Sequence, residues 1–182
     1  MLLNRVVTAT ALAVGGFILS KRITGKARRA DAGAVEESIE VHVPRGVAYH
    51  QWTQFEQLPS FMHSVKEVRQ LDSRHLHWKA TVDGQDTEWD VEITERVPDQ
   101  RLAWRSIGAP RNSGAVSFTA LSDEHTRVTL KMAAERDGTV EKIGDMLGAM
   151  RLEARSNLQR FKEMIEARGA GPGDGQGQIT AH

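Results

Sequence analysis

The chain of 182 residues contains no cysteine. Disulfides, thiolate metal sites and cysteine nucleophiles are therefore excluded. Net charge is also lacking, because 24 basic side chains balance 24 acidic ones. The global basic excess of a nucleic-acid binder is absent. There is no internal repeat, and no Gly-rich phosphate loop follows a strand-like run, so no cofactor is implied. Tyrosine occurs once, against four tryptophans. Hydrophobic residues make up 40% of the chain and charged residues 26%, enough for one packed domain with tails.

The neutral total hides a segregated charge. The first thirty residues carry Arg5, Lys21, Arg22, Lys26, Arg28 and Arg29 and no acid. Between them runs an uncharged stretch, Val6–Ser20. It is short of the roughly 20 residues of a spanning helix, but Met1, Leu2 and Leu3 extend it if Arg5 snorkels. A cleaved signal peptide would need small residues after the apolar core, where Lys21 and Arg22 stand instead. A soluble packing helix would need a polar face, and Gly15-Gly16 weakens any helix in water. A membrane anchor over residues 1–22 fits best. The positive charges that follow it place the domain on the cytoplasmic side and suit anionic lipid headgroups. Residues 23–35 read as a basic linker, 36–168 as the folded domain, and 169–182, rich in glycine, as a disordered tail.

Within the domain, Ile39, Val41 and Val43 alternate with Ser38, Glu40 and His42 as a strand with one buried face. Pro44 stops it and suits the start of a short helix, residues 44–53. Phe55, Leu58, Phe61 and Met62 mark a second short apolar element. Val65–Leu71 is a strand whose imperfect alternation suggests a bulge. Asp83-Gly84 is a strong two-residue turn between His75–Val82 and Gln85–Val97. It sets Val82 against Gln85, so partner numbers sum to 167. Trp78 then faces Trp89, and Leu76 faces Val91. On the other side Lys79 meets Glu88, His77 meets Asp90 and His75 meets Glu92, with Arg96 on the same face. Further strands are expected at Arg101–Ser106, Ala115–Ala120 and Thr126–Met132, with the loop IGAPRNSG between the first two. A helix of about Val140 to Ala167 closes the domain. Val140, Ile143, Met146, Leu147, Met150, Ala154, Leu158, Phe161, Met164 and Ile165 share its apolar stripe, with Leu152 off it.

This order is an α+β arrangement: strand, two short helices, six antiparallel strands, long helix. The segments VHVPRGVAYHQWTQFEQLPSFMHSVKEV, HLHWKATVDGQDTEWDVEITERVPDQRLAWRSIGAPRNSGAVSF and RVTLKM, with a terminal helix ending LQRFKEMIEARG, carry a resemblance. They resemble the START-like helix-grip superfamily, in its polyketide cyclase/dehydrase and coenzyme-Q-binding branch. The resemblance implies a curved antiparallel sheet of about seven strands gripping the long helix, with an apolar pocket between them. Its walls would be Trp78, Trp89, Trp104, Phe118 and Met132 from strands and Met146, Met150 and Ala154 from the helix. Trp52, Phe55, Phe61 and Met62 would sit near the mouth. The same stripes also read as plain core.

Catalytic signals are weak. His75, His77, Asp90 and Glu92 could meet as a metal site, but Lys79 beside them disfavours a cation and an ion-paired strand face explains them. Ser60 with His63, and Ser122 with Asp123 and His125, lack a nucleophile elbow. His63 and Arg105 are the first acid–base candidates, although Arg105 has the wrong parity beside the inward Trp104. The expected function is membrane-tethered, non-catalytic binding or transfer of a hydrophobic small molecule, a lipid or prenyl quinone. An aromatic polyketide cyclase/dehydrase and a membrane-held interaction module with an unused pocket are the alternatives.

Overall fold

Residues 33–134 and 140–169 are described by the structure, a computed structural model. The expected anchor, most of the linker and all of the tail after Gly169 lie outside these residues. The described strands are β1 (Ala34–Val41), β2 (Val65–Gln70), β3 (His75–Val82), β4 (Gln85–Val97), β5 (Arg101–Ile107), β6 (Asn112–Ser122) and β7 (His125–Ala134). Helix α1 (Arg45–Trp52) and a 3-10 helix (Phe55–Ser60) follow β1, and α2 (Val140–Gly169) ends the domain. The strands form one antiparallel sheet in the order β1-β7-β6-β5-β4-β3-β2. This is the helix-grip arrangement, with α2 across the concave face of the sheet.

The β3–β4 hairpin shows how local chemistry fixes the register. Asp83 and Gly84 both take positive φ, 51° and 78°, as a type I′ turn requires. Every partner pair from Val82↔Gln85 to His75↔Glu92 then sums to 167. Inside, the Trp78 and Trp89 rings stack with centroids 6.3 Å apart. Outside, Lys79 lies 2.8 Å from Glu88 and His77 2.8 Å from Asp90. A one-residue slip of either strand would send that strand's side chains to the wrong face and mix the two sets.

Two bulges reset the phase. One falls between Val65 and Glu67, so the buried residues of β2 are Val65 and Val68, three apart. The other falls between Ile93 and Glu95. It carries Arg96 from the outer face, where unbroken alternation puts it, to a position 5.5 Å from the Phe55 ring centroid. β1 starts at Ala34, two residues inside the expected linker, because Val35 is already buried against β7. The β5–β6 loop is shorter than expected, since β5 runs through Ile107 and β6 begins at Asn112.

The solid core lies at one end of α2. Trp52, Phe61 and Phe161 pack with centroids 4.9–5.2 Å apart, and Phe118 joins through Trp52 and Tyr49. Ala154, Leu158, Phe161 and Ile165 are all buried against this cluster. Leu152, off the stripe, is 71% exposed.

The outer face carries the ion pairs. Glu92 is held by Arg105 at 2.7 Å and Arg74 at 3.0 Å. The hydrogen bond from Arg105, aided by the charges of Arg105 and Arg74, outweighs desolvation and lowers the carboxyl below the ordinary 4.5. A lowered folded-state value means that the added stability is complete above the unfolded value and disappears as pH falls through the folded one. Thermal melts should therefore show Glu92→Gln less stable than the parent at pH 7. That gap should close progressively below about pH 4.5. A gap of equal size at pH 7 and pH 3 would show that these ion pairs contribute nothing.

A cavity between the sheet and the long helix as the candidate site

Toward its N-terminal half, α2 stands away from the sheet and a cavity of about 650 Å³ remains beneath it. Strand alternation turns Trp78, Trp89, Val91, Ile93, Trp104 and Met132 into its wall. All four tryptophans of the chain line it. Trp104 reaches its place because its cross-strand partner is Gly114. A Cβ there would lie 2.4 Å from the indole and 2.9 Å from the Lys131 carbonyl oxygen. From the roof, Met146, Ala149, Met150, Glu153 and Asn157 face inward at helical spacing.

Nine of the twelve expected pocket residues line this cavity: Trp52, Phe55, Met62, Trp78, Trp89, Trp104, Met132, Met146 and Met150. Three do not. Phe61, Phe118 and Ala154 are buried in the solid core. Phe61 packs on Trp52 and Phe161, and Phe118 on Tyr49 and Trp52. Ala154 is packed into that core, with no exposure at all. One apolar stripe thus serves two ends, cement at one and roof at the other.

The cavity is also less uniformly apolar than the strand phases suggest. α2 contributes Glu153 and Asn157, the segment before β2 contributes Ser64, the β5–β6 connection contributes Arg111, and the start of β6 contributes Asn112. The Ser64 hydroxyl donates to Glu153 Oε1. Asn157 is 4% exposed. Its signal in the sequence was an amide inside an otherwise apolar helix stripe.

The residues first considered for catalysis lie elsewhere. Arg105 points outward to Glu92, and His63 is exposed. His75 binds Asp72 at 2.8 Å, His77 binds Asp90, and Glu92 holds two arginines. Those four side chains are committed to three separate sets of partners, with His77 and Asp90 paired to each other. Ser60 donates to the Gln57 carbonyl, and Ser122 meets His125 at 3.2 Å on the surface. A shallow second groove of about 490 Å³ lies outside, between β1 and α2, crossed by the 2.8 Å Arg155–Glu37 ion pair.

Residues 41–163 match the family model described as polyketide cyclase / dehydrase and lipid transport. The chain belongs to this family. It is 44% identical over 146 residues to an uncharacterized 17.2 kDa protein of Streptomyces lincolnensis, covering 80% of this chain and 97% of that one. Among solved structures, the Zhui aromatase/cyclase of a Streptomyces species superposes with a TM-score of 0.67. Identity is 18%, and 77% of this chain and 97% of that one are covered. A START superfamily protein of Mycobacterium smegmatis gives 0.63 at 12% identity over 72% and 99%. At these identities the solved structures establish the shared fold.

The division of α2 has a measurable consequence. Ala154→Trp should overpack the solid end and cost about 1–3 kcal/mol or more. Met150→Trp, placed over the void, should cost less than about 1 kcal/mol. Urea unfolding of the two variants checks this, and equal losses would refute the boundary drawn along the helix.

Proposed function

We propose that this domain binds a hydrophobic small molecule, a lipid or prenyl quinone, without converting it, and works tethered to a membrane through residues 1–22. The observation that carries the reading is the cavity of about 650 Å³ walled by tryptophan and methionine. Aromatic rings offer large flat apolar faces. Flexible thioethers let Met132, Met146 and Met150 adapt to the shape that enters. The family's description, which includes lipid transport, agrees with it.

The tether rests on the uncharged run Val6–Ser20 and its flanking Lys21 and Arg22. No helix among the described residues is long and apolar enough to cross a membrane, and the N-terminal run is the segment this reading assigns to the anchor. Gly33 accepts a hydrogen bond from the Ala134 amide at 3.3 Å, and Ala133 and Ala134 line the cavity. The segment therefore joins the domain beside the cavity. Residues 23–33 span at most roughly 40 Å when extended, which keeps the cavity near the bilayer.

A cyclase/dehydrase is the second reading. Glu153 and Ser64 favour it, being polar groups at the cavity wall that could hold a reactive chain.

Native mass spectrometry of the purified full chain, followed by solvent extraction, should recover a hydrophobic molecule that stays unchanged on incubation. Accelerated ring closure of a poly-β-ketone would transfer the protein to the cyclase reading, and an empty protein that takes up neither lipid nor quinone would end both. Cell fractionation tests the tether separately. The full chain should sediment with membranes, and a form starting near Asp31 should remain in the supernatant. Full chain in the supernatant without detergent would overturn the tether.

A further inference from the structure

Three polar side chains are buried among the described residues: Gln51, Thr126 and Asn157. Two are accounted for. Gln51 donates to Gln57 at 3.2 Å and accepts from Arg168 at 2.6 Å. Thr126 donates to the Val43 carbonyl at 2.8 Å. Asn157, 4% exposed, makes no side-chain hydrogen bond to any described residue, and it lines the cavity. An amide in apolar surroundings is costly unless something pairs with it. What remains to pair with it is the content of the cavity.

Its neighbour narrows the chemistry. Glu153 lies four residues earlier, one turn along the same helix face, and also lines the cavity. Ser64 donates to its Oε1, which steadies the carboxyl group and leaves Oε2 available as an acceptor. Asn157 offers two donor hydrogens and one acceptor oxygen.

We propose that Asn157 and the Ser64-supported Glu153 form a polar subsite that recognises a neutral hydroxyl on an otherwise apolar, aromatic ligand. This rests on the ligand-binding reading and deepens it. A hydroxyl both donates and accepts, so it accepts from the Asn157 amide and donates to Glu153. A ligand acid would set carboxyl against carboxyl, and Arg111, the cavity's basic residue, already interacts with a neighbour. A pure hydrocarbon would leave the Asn157 amide unpaired, a penalty that sites of this kind use to discriminate. The stacked Trp78–Trp89 pair and Trp104 supply flat walls for the rest of the molecule.

Hydroxypyrene and methylpyrene are matched in shape and differ in the hydroxyl. Each accepts energy from tryptophan, and all four tryptophans line the cavity, so quenching of Trp emission in the purified full chain reports binding there. The parent should bind hydroxypyrene about tenfold more tightly than methylpyrene. Asn157→Leu should keep methylpyrene binding and shrink the preference to within about twofold. Asn157→Ala serves if the leucine variant fails to fold, and Glu153→Gln should weaken the hydroxyl preference with little change for methylpyrene. Equal affinity for both probes in the parent, or a preference that survives loss of Asn157, overturns the subsite and leaves the ligand-binding reading standing. Failure of both probes to bind the parent overturns the two together.

Discussion

Trp52 is the residue around which the rest is organised. It is 1% exposed and touches Phe61, Phe118 and Phe161, so α1, the segment after the 3-10 helix, β6 and α2 meet at one ring system. Fully burying a large apolar side chain contributes about 1.5–3 kcal/mol, and aromatic pairs in tilted or edge contact add about 0.5–1.5 kcal/mol. Anchored at this end, α2 does not need contact along its whole length. The N-terminal half can stand off the sheet and lose packing there without the helix coming away. The cavity is thus permitted by a knot at one end of it, and Trp52 belongs to both.

The outer face of the sheet serves the inner one. Lys66–Asp86, Lys79–Glu88, His77–Asp90 and Arg105–Glu92 are exposed pairs, each worth little to total stability. Their value lies in register. All four acids lie on β4, so a shift of that strand by one residue would break the four pairs at once and carry Trp89 out to solvent. Polar chemistry that looks like a metal site in the sequence therefore acts as an alignment device for the apolar wall behind it.

The elements governed by local rules were legible in the sequence. Asp83-Gly84 gives the hairpin register because two consecutive positive-φ residues permit only one kind of turn. The stripe from Ile143 to Ile165 gives the helix because its spacing repeats. The bulge in β4 is not legible, since nothing in Ile93–Glu95 departs from strand composition, and unbroken alternation puts Arg96 on the wrong face. The boundary between cement and roof was hidden too. Met150 and Ala154 occupy the same stripe, and only the height of the sheet beneath them separates a wall residue from a core residue. Glu153 and Asn157 are not legible from apolar spacing, which carries no signal for polar residues, although Asn157 lies between Ala154 and Phe161 on the buried face.

The first strand and the last strand of the sheet are partners. β1 pairs with β7 along its whole length, from Ala34↔Ala133 to Val41↔Thr126, and Ser38 meets Thr129 hydroxyl to hydroxyl at 2.9 Å. A chain emerging from a ribosome therefore presents β1 with its apolar face uncovered until nearly a hundred more residues have been made. Contacts of such sequence separation are slow to form, and unpaired strand edges invite association with other chains. The acidic residues on its outer face, Glu36 and Glu40, both exposed, give β1 a charge that discourages such association while it waits.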